Sequence, residues 1–167
     1  YGIRCVVSIN RFISDTDTEL NLIKELSAEF GAKAVIATHW ADGGAGAEEL
    51  AHAIVEVCED PTPMTFVYDD SATLWEKMEA VAKRVYRASE VTASSAVRSQ
   101  IKDLQEAGYG EFPICVAKTQ YSYSTDPSLR AAPVGHSVNI REVRLSAGAE
   151  FVVMICGDVM TMPGLPK

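Results

Sequence analysis

The chain has 167 residues, enough for one domain or two small ones, and 47% of them are hydrophobic against 23% charged. That apolar content can offset the entropy of ordering, which excludes an unfolded chain. A net charge of −8, with 15 Lys and Arg scattered rather than clustered, excludes nucleic-acid binding through phosphate contacts, and the longest apolar runs are too short to span a bilayer.

Taken in order, residues 4–10 (RCVVSIN) predict a buried strand, being short, rich in Val and Ile and closed by polar residues. Thr16-x-x-Glu19 is a capping box that opens a helix running to about Phe30, with Leu22, Ile23, Leu26 and Phe30 on one face and Gly31 as its stop. A second strand is expected at 34–38 and a second helix at 47–59, with Leu50, Ile54 and Val57 along one side. Pro61 and Pro63 end that helix, and 65–68 predicts a third strand. Thr73-x-x-Glu76 is another capping box, followed by Trp75, Met78, Ala82 and Val85 at helical spacing. This alternation predicts an α/β fold of the three-layer αβα type, a parallel sheet with right-handed crossovers.

The pattern changes near residues 89–95. A helix is expected at 94–107, ended by Gly108, then a strand at 114–117 and a polar loop from Thr119 to Gly135. Residues 138–145 alternate with a phase slip, which a β-bulge at Arg141–Glu142 would absorb. A buried strand at 151–156 and a Pro/Gly-rich tail at 160–167 close the chain. The division expected is therefore a parallel α/β part over 1–92 and a smaller mixed or antiparallel α+β part over 93–167.

Ligands of parallel sheets bind beyond the carboxyl ends of the strands, which points to the loops after Asn10 and Thr38. Each carries a large aromatic that core periodicity does not require, Phe12 and Trp40. The pair reads either as a clamp on a flat ligand or as two hydrophobes anchoring loops. The turn Gly43-Gly44-Ala45-Gly46 sits where phosphate loops sit, yet it lacks the Lys-Ser/Thr ending, and Glu48 and Glu49 already oppose the helix dipole. It reads as a structural turn. His39 has no partner for a relay, His52 is single on its helix, and His136 reads as a solvated edge residue. No general base and no metal site are assigned. Lys118-Thr119-Gln120-Tyr121-Ser122 is polar enough either to touch a ligand or to be a hydrogen-bonded loop, and the tail is either pocket lining or a packed arm. Cys5, Cys58, Cys115 and Cys156 show no paired spacing and sit in apolar segments, so four buried free thiols in a reducing cytoplasm are expected.

Five stretches together resemble one family: residues 7–12 (VSINRF) with Thr16–Glu19, 38–44 (THWADGG), 113–122 (PICVAKTQYS), 144–149 (RLSAGA) and 157–167 (GDVMTMPGLPK). In this order they resemble the C-terminal part of formate–tetrahydrofolate ligase. The resemblance implies an enzyme that joins formate to tetrahydrofolate at the expense of ATP through formyl phosphate, with Mg2+ accompanying ATP, a monovalent cation as activator and a cytoplasmic homotetramer as the assembly. It implies that Phe12 and Trp40 sandwich the folate ring, with Ile13 and Ile36 as apolar lining. It also implies that the P-loop lies in a remaining N-terminal part, so that this chain alone holds one substrate and does not run the reaction. A non-catalytic folate-binding module and an assembly domain are the rival classes. Ile13 stands where the family usually has Pro, Glu150 where Gly is usual, and Cys156 where Thr is common.

Overall fold

Two strand–helix repeats build the first part of the chain in a computed structural model that describes residues 2–158. Val6–Asn10 (β1) and Lys33–Ala37 (β2) pair in parallel, Val6 opposite Lys33 and Asn10 opposite Ala37. Asp17–Glu29 (α1) makes the crossover between them. Its capping box forms as the sequence predicts: the Glu19 backbone N–H donates to Thr16 Oγ1 at 3.3 Å, and Thr16 N–H donates to Glu19 Oε2 at 3.0 Å. Gly31, at φ 72°, takes the left-handed turn that stops the helix. After β2 come a one-turn helix, His39–Asp42 (α2), a 3-10 turn over Gly43–Ala47, and the helix Glu48–Cys58 (α3).

The remainder is a second α/β assembly. Leu74–Ala80 (α4) starts from the second capping box, in which Thr73 N–H donates to Glu76 Oε2 at 2.9 Å. Glu90–Ala93 (β3), a strand the sequence pattern did not announce, pairs in parallel with Ser137–Ile140 (β5). Ser95–Leu104 (α5) leads through a π-helical turn, broken at Gly108 with φ 95°, to Ile114–Ala117 (β4). Glu142–Ser146 (β6) and Phe151–Ile155 (β7) complete a mixed sheet in the order β4-β7-β6, parallel on one side of β7 and antiparallel on the other. The α/β class and the mixed second sheet are as expected.

Several details differ for physical reasons. Residues 65–68 form no strand; Phe66 is exposed, and the Tyr68 hydroxyl instead accepts the Ile114 backbone N–H at 3.3 Å. The phase slip at Arg141 is real, but no bulge absorbs it. Arg141 N–H donates to the Ile155 carbonyl at 2.8 Å, and the chain passes from the β3–β5 pair into the β4-β7-β6 sheet at that residue. Val138 and Ile140 thus serve one sheet, and Val143 and Leu145 the other.

The chain divides into two compact units, the first ending at Thr65 and the second beginning at Phe66. The boundary expected after residue 92 falls inside the second unit, because Leu74, Met78 and Ala82 share one buried core with Val138, Ile140, Val152 and Met154. Three of the four cysteines are exposed, Cys5, Cys58 and Cys115, and only Cys156 is buried, which corrects the expectation of four buried thiols. Each of the three lies at or near the end of an element, where apolar neighbours in sequence do not guarantee cover. No helix among the described residues is long and apolar enough to cross a membrane.

Candidate functional site

The parallel pairing of β1 and β2 places the loops that follow them side by side. Arg11 extends the ladder by one bond, its N–H donating to the Ala37 carbonyl at 3.1 Å. The chain then turns: Phe12 N–H donates to Asp15 Oδ2 at 2.7 Å, and Asp15 N–H returns to the Phe12 carbonyl at 3.1 Å. This reciprocal pair of bonds fixes the backbone on both sides of Phe12, a residue that stays 65% exposed.

Trp40 is positioned from the second loop. Thr38 follows β2, and its carbonyl accepts from Ala41 and Asp42 at 2.9 Å each, winding the single turn α2. The Thr38 hydroxyl bonds Asp42 Oδ2 at 2.6 Å and closes the same turn. From there the Trp40 indole Nε1 donates to the Arg11 carbonyl at 2.5 Å. The ring's only donor is therefore spent on the residue next to Phe12, while the side chain stays 54% exposed.

The glycine turn has a packing role in this arrangement. Thr38 N–H donates to the Gly46 carbonyl at 2.9 Å, and a Cβ built on Gly46 would lie 2.5 to 2.7 Å from Thr38 and His39 backbone atoms. Only glycine permits that approach, so Gly46 seats the loop carrying Trp40. Glu48 and Glu49 follow directly in the first turn of α3, leaving a phosphate no favourable charge there.

The structure thus ties the segment carrying Trp40 to Arg11, the neighbour of Phe12. Ile13 lies next to them in the loop, 91% exposed, and Ile36 is half-buried within β2, opposite Ile9 in the ladder. Sequence reasoning did not single out Asp15, the Arg11 carbonyl or Gly46 as supports. An Asp in a short polar loop signals a local side-chain-to-backbone bond such as that of Asp15, but the acceptor of an indole N–H is a matter of tertiary position. His39 and His52 are exposed, and His52 Nε2 lies 3.8 Å from Glu48 on the same helix. His136 corrects its expectation as a solvated edge residue: both ring nitrogens are enclosed and lack a hydrogen-bond partner. Among the described residues no group of three or more His, Cys, Asp or Glu is placed to hold a metal ion.

The Lys118–Ser122 stretch forms a cleft wall in the second unit. A space of about 540 Å³ at the carboxyl ends of β4 and β7 is lined by Thr119, Gln120, Tyr121, Asn139, Arg141 and Asp158, among others. Lys118 lies over the Tyr86 and Tyr123 rings at 4.8 and 5.6 Å and donates to the Ser122 carbonyl. Burial holds its ammonium below the ordinary lysine range. Buried Ser122 and Ser124 bond each other at 2.8 Å, ordering the loop from within. Gly157 allows the β4 and β7 ends to close up, since a Cβ there would meet Thr119 N at 3.1 Å. The tail at 160–167 lies outside the described residues.

Comparison with known proteins decides the family. The family model described as formate–tetrahydrofolate ligase matches residues 1–167. The chain belongs to the formate–tetrahydrofolate ligase family. Among curated formate–tetrahydrofolate ligases it is 56% identical to that of Methylibium petroleiphilum, 55% to that of Rhizobium etli and 52% to that of Pelagibacter ubique, in each case over 100% of this chain and 30% of the relative. The chain therefore spans about 30% of the length of these ligases. The matches bear out the family and not the C-terminal placement read from the motifs.

Proposed function

We propose that this segment supplies the tetrahydrofolate-binding side of an ATP-dependent formate–tetrahydrofolate ligase, with Phe12 and Trp40 clamping the flat ring system of the substrate. The observation that carries the reading is the bond from the Trp40 indole to the Arg11 carbonyl, which ties the two aromatic-bearing loops at the carboxyl ends of neighbouring parallel strands. Both residues keep more than half their surface exposed while their backbones are held by local hydrogen bonds. Such anchoring suits stacking, because little rotamer or loop entropy is left to lose on binding. Ile13 and Ile36 supply apolar surface beside the rings.

The rest of the enzyme binds formate, ATP and Mg2+ and makes formyl phosphate, and a monovalent cation activates the assembled homo-oligomer. This segment contributes orientation: it holds the nucleophilic nitrogen of tetrahydrofolate towards the activated acyl group. Positioning of that kind supplies several kcal/mol of barrier reduction, on the order of the 7–11 kcal/mol available to well-oriented reactants. The chain by itself holds one substrate and does not run the reaction.

The test is kinetic, in the full-length enzyme. Trp40→Ala removes one stacking face worth about 1 kcal/mol or more beyond burial, so the KM for tetrahydrofolate rises about tenfold. The KM values for ATP and formate stay within about twofold, since neither substrate is assigned to this loop. An unchanged tetrahydrofolate KM, or an equal rise for all three substrates, sinks the clamp.

A further inference from the structure

Helix α1 is amphipathic, but it packs on its own unit by the margin of its apolar face. At about 100° per residue, Leu22, Leu26, Phe30, Ile23 and Leu20 fill one arc of roughly 160°, and Asn21, Lys24, Glu25, Ala28 and Glu29 occupy the opposite side. A helix with this pattern is expected to turn the middle of the apolar arc inwards. Instead the residues that lose surface are Leu20, which is buried, and its flanking neighbours Lys24 and Ser27. Leu22, Ile23, Leu26 and Phe30 are left 52%, 40%, 46% and 88% exposed. Four large apolar side chains on one continuous face form the kind of patch that marks an interaction site.

The sheet beneath is incomplete in the same sense. It contains the two strands β1 and β2 among the described residues, and parallel sheets are built to be covered on both faces. The first unit buries Ile9, Leu20, Ala32, Val35, Ala37 and Ala53, a small core of which half is alanine.

We propose that the apolar arc of α1 is an interface for the rest of the ligase polypeptide, which covers Leu22, Ile23, Leu26 and Phe30 with an apolar face of its own. The occupant follows from length: the family's ligases carry some 70% of their chain outside the stretch this protein matches, being covered over 30%. That polypeptide is tethered to this unit, so its effective concentration at α1 exceeds that of any free partner. The proposal rests on family membership and not on the folate clamp, and the two fail separately.

Photo-cross-linking in the full-length enzyme tests it. Phe30 is replaced by p-benzoylphenylalanine, and the cross-linked peptides are identified from a mixture of isotopically light and heavy subunits. The expected product links Phe30's position to a peptide of the same subunit that lies outside this 167-residue stretch. Links between light and heavy subunits, which show a second copy, or links to residues 66–158 overturn the occupant. Hydroxyl-radical footprinting of the unsubstituted enzyme guards against a folding defect in the variant. Leu26 and Phe30 should be oxidised at least about tenfold more slowly in the native than in the urea-unfolded enzyme. Equal rates overturn the interface altogether.

Discussion

At the scale of single residues, burial decides what otherwise similar side chains can do. Cys156 is the one buried thiol, and desolvation pushes its pKa up to about 12 against the weaker opposing pull of Arg141 and Lys118. Alkylation at pH 8 should therefore modify exposed Cys5, Cys58 and Cys115 and spare Cys156, as peptide mass mapping will show. Lys77 is fully buried, and its Nζ donates to the Gly110 and Phe112 carbonyls at 2.8 and 3.2 Å. Desolvation lowers its pKa, with Asp70, Glu111 and Asp69 resisting. Replacing it with Met strands two carbonyls and should cost about 1–3 kcal/mol in urea denaturation. Glu150 stands in the left-handed region at φ 56°, ψ 42°, where the family resemblance sets a glycine. Glu150→Gly should raise stability by about 1 kcal/mol, because the Cβ clash disappears. A fall in the urea midpoint would refute that account.

At the scale of elements, caps and turns were the most legible features of the chain. Both capping boxes formed because a hydroxyl and a carboxylate three residues apart need no tertiary context to meet. Their carboxylates carry a pH signature. The Thr16 and Thr73 backbone N–H groups, and then the hydroxyls, hold Glu19 and Glu76 below the ordinary value of 4.5. Their folded pKa is depressed, so the stabilisation is present above pH 4.5 and is lost as pH falls through the lower folded value. Glu76→Gln should lower Tm at pH 7 by an amount that shrinks steadily below pH 4.5; a difference that persists at acid pH contradicts the assignment. The Gly46 turn links an element to the site. Gly46→Ala forces a Cβ into the Thr38 backbone and should cost about 1–3 kcal/mol in urea denaturation, and under the proposed clamp the KM for tetrahydrofolate rises with it because Trp40 closely follows Thr38.

At the scale of the whole molecule, the two units differ in how much core they own. Among the described residues the second gathers thirteen buried hydrophobic residues into one cluster, including Leu74, Met78, Ile140 and Met154, whereas the first buries six small or medium ones. Amide exchange of the 167-residue chain should therefore be faster throughout β1, β2 and α1 than in β4 and β7, since opening costs less where few apolar contacts are lost. Uniform protection would contradict it.

Local grammar was legible in the residues alone: the capped starts of α1 and α4, the glycine stops, the parallel β1–β2 repeat, and the placing of Phe12 and Trp40 just beyond strand ends. Those depend on bonds within a few residues or on the period of apolar side chains. Tertiary structure decided the rest. Residues 65–68 look like a strand in isolation but find no ladder to join, and the slip at Arg141 is a passage between sheets, which no single-strand pattern distinguishes from a bulge. The apolar arc of α1 predicts burial, yet Leu22, Ile23, Leu26 and Phe30 are left exposed, because the helix packs by the edge of that arc. The indole bond to Arg11 likewise joins residues 29 positions apart, and only the parallel register of β1 and β2 brings them within reach.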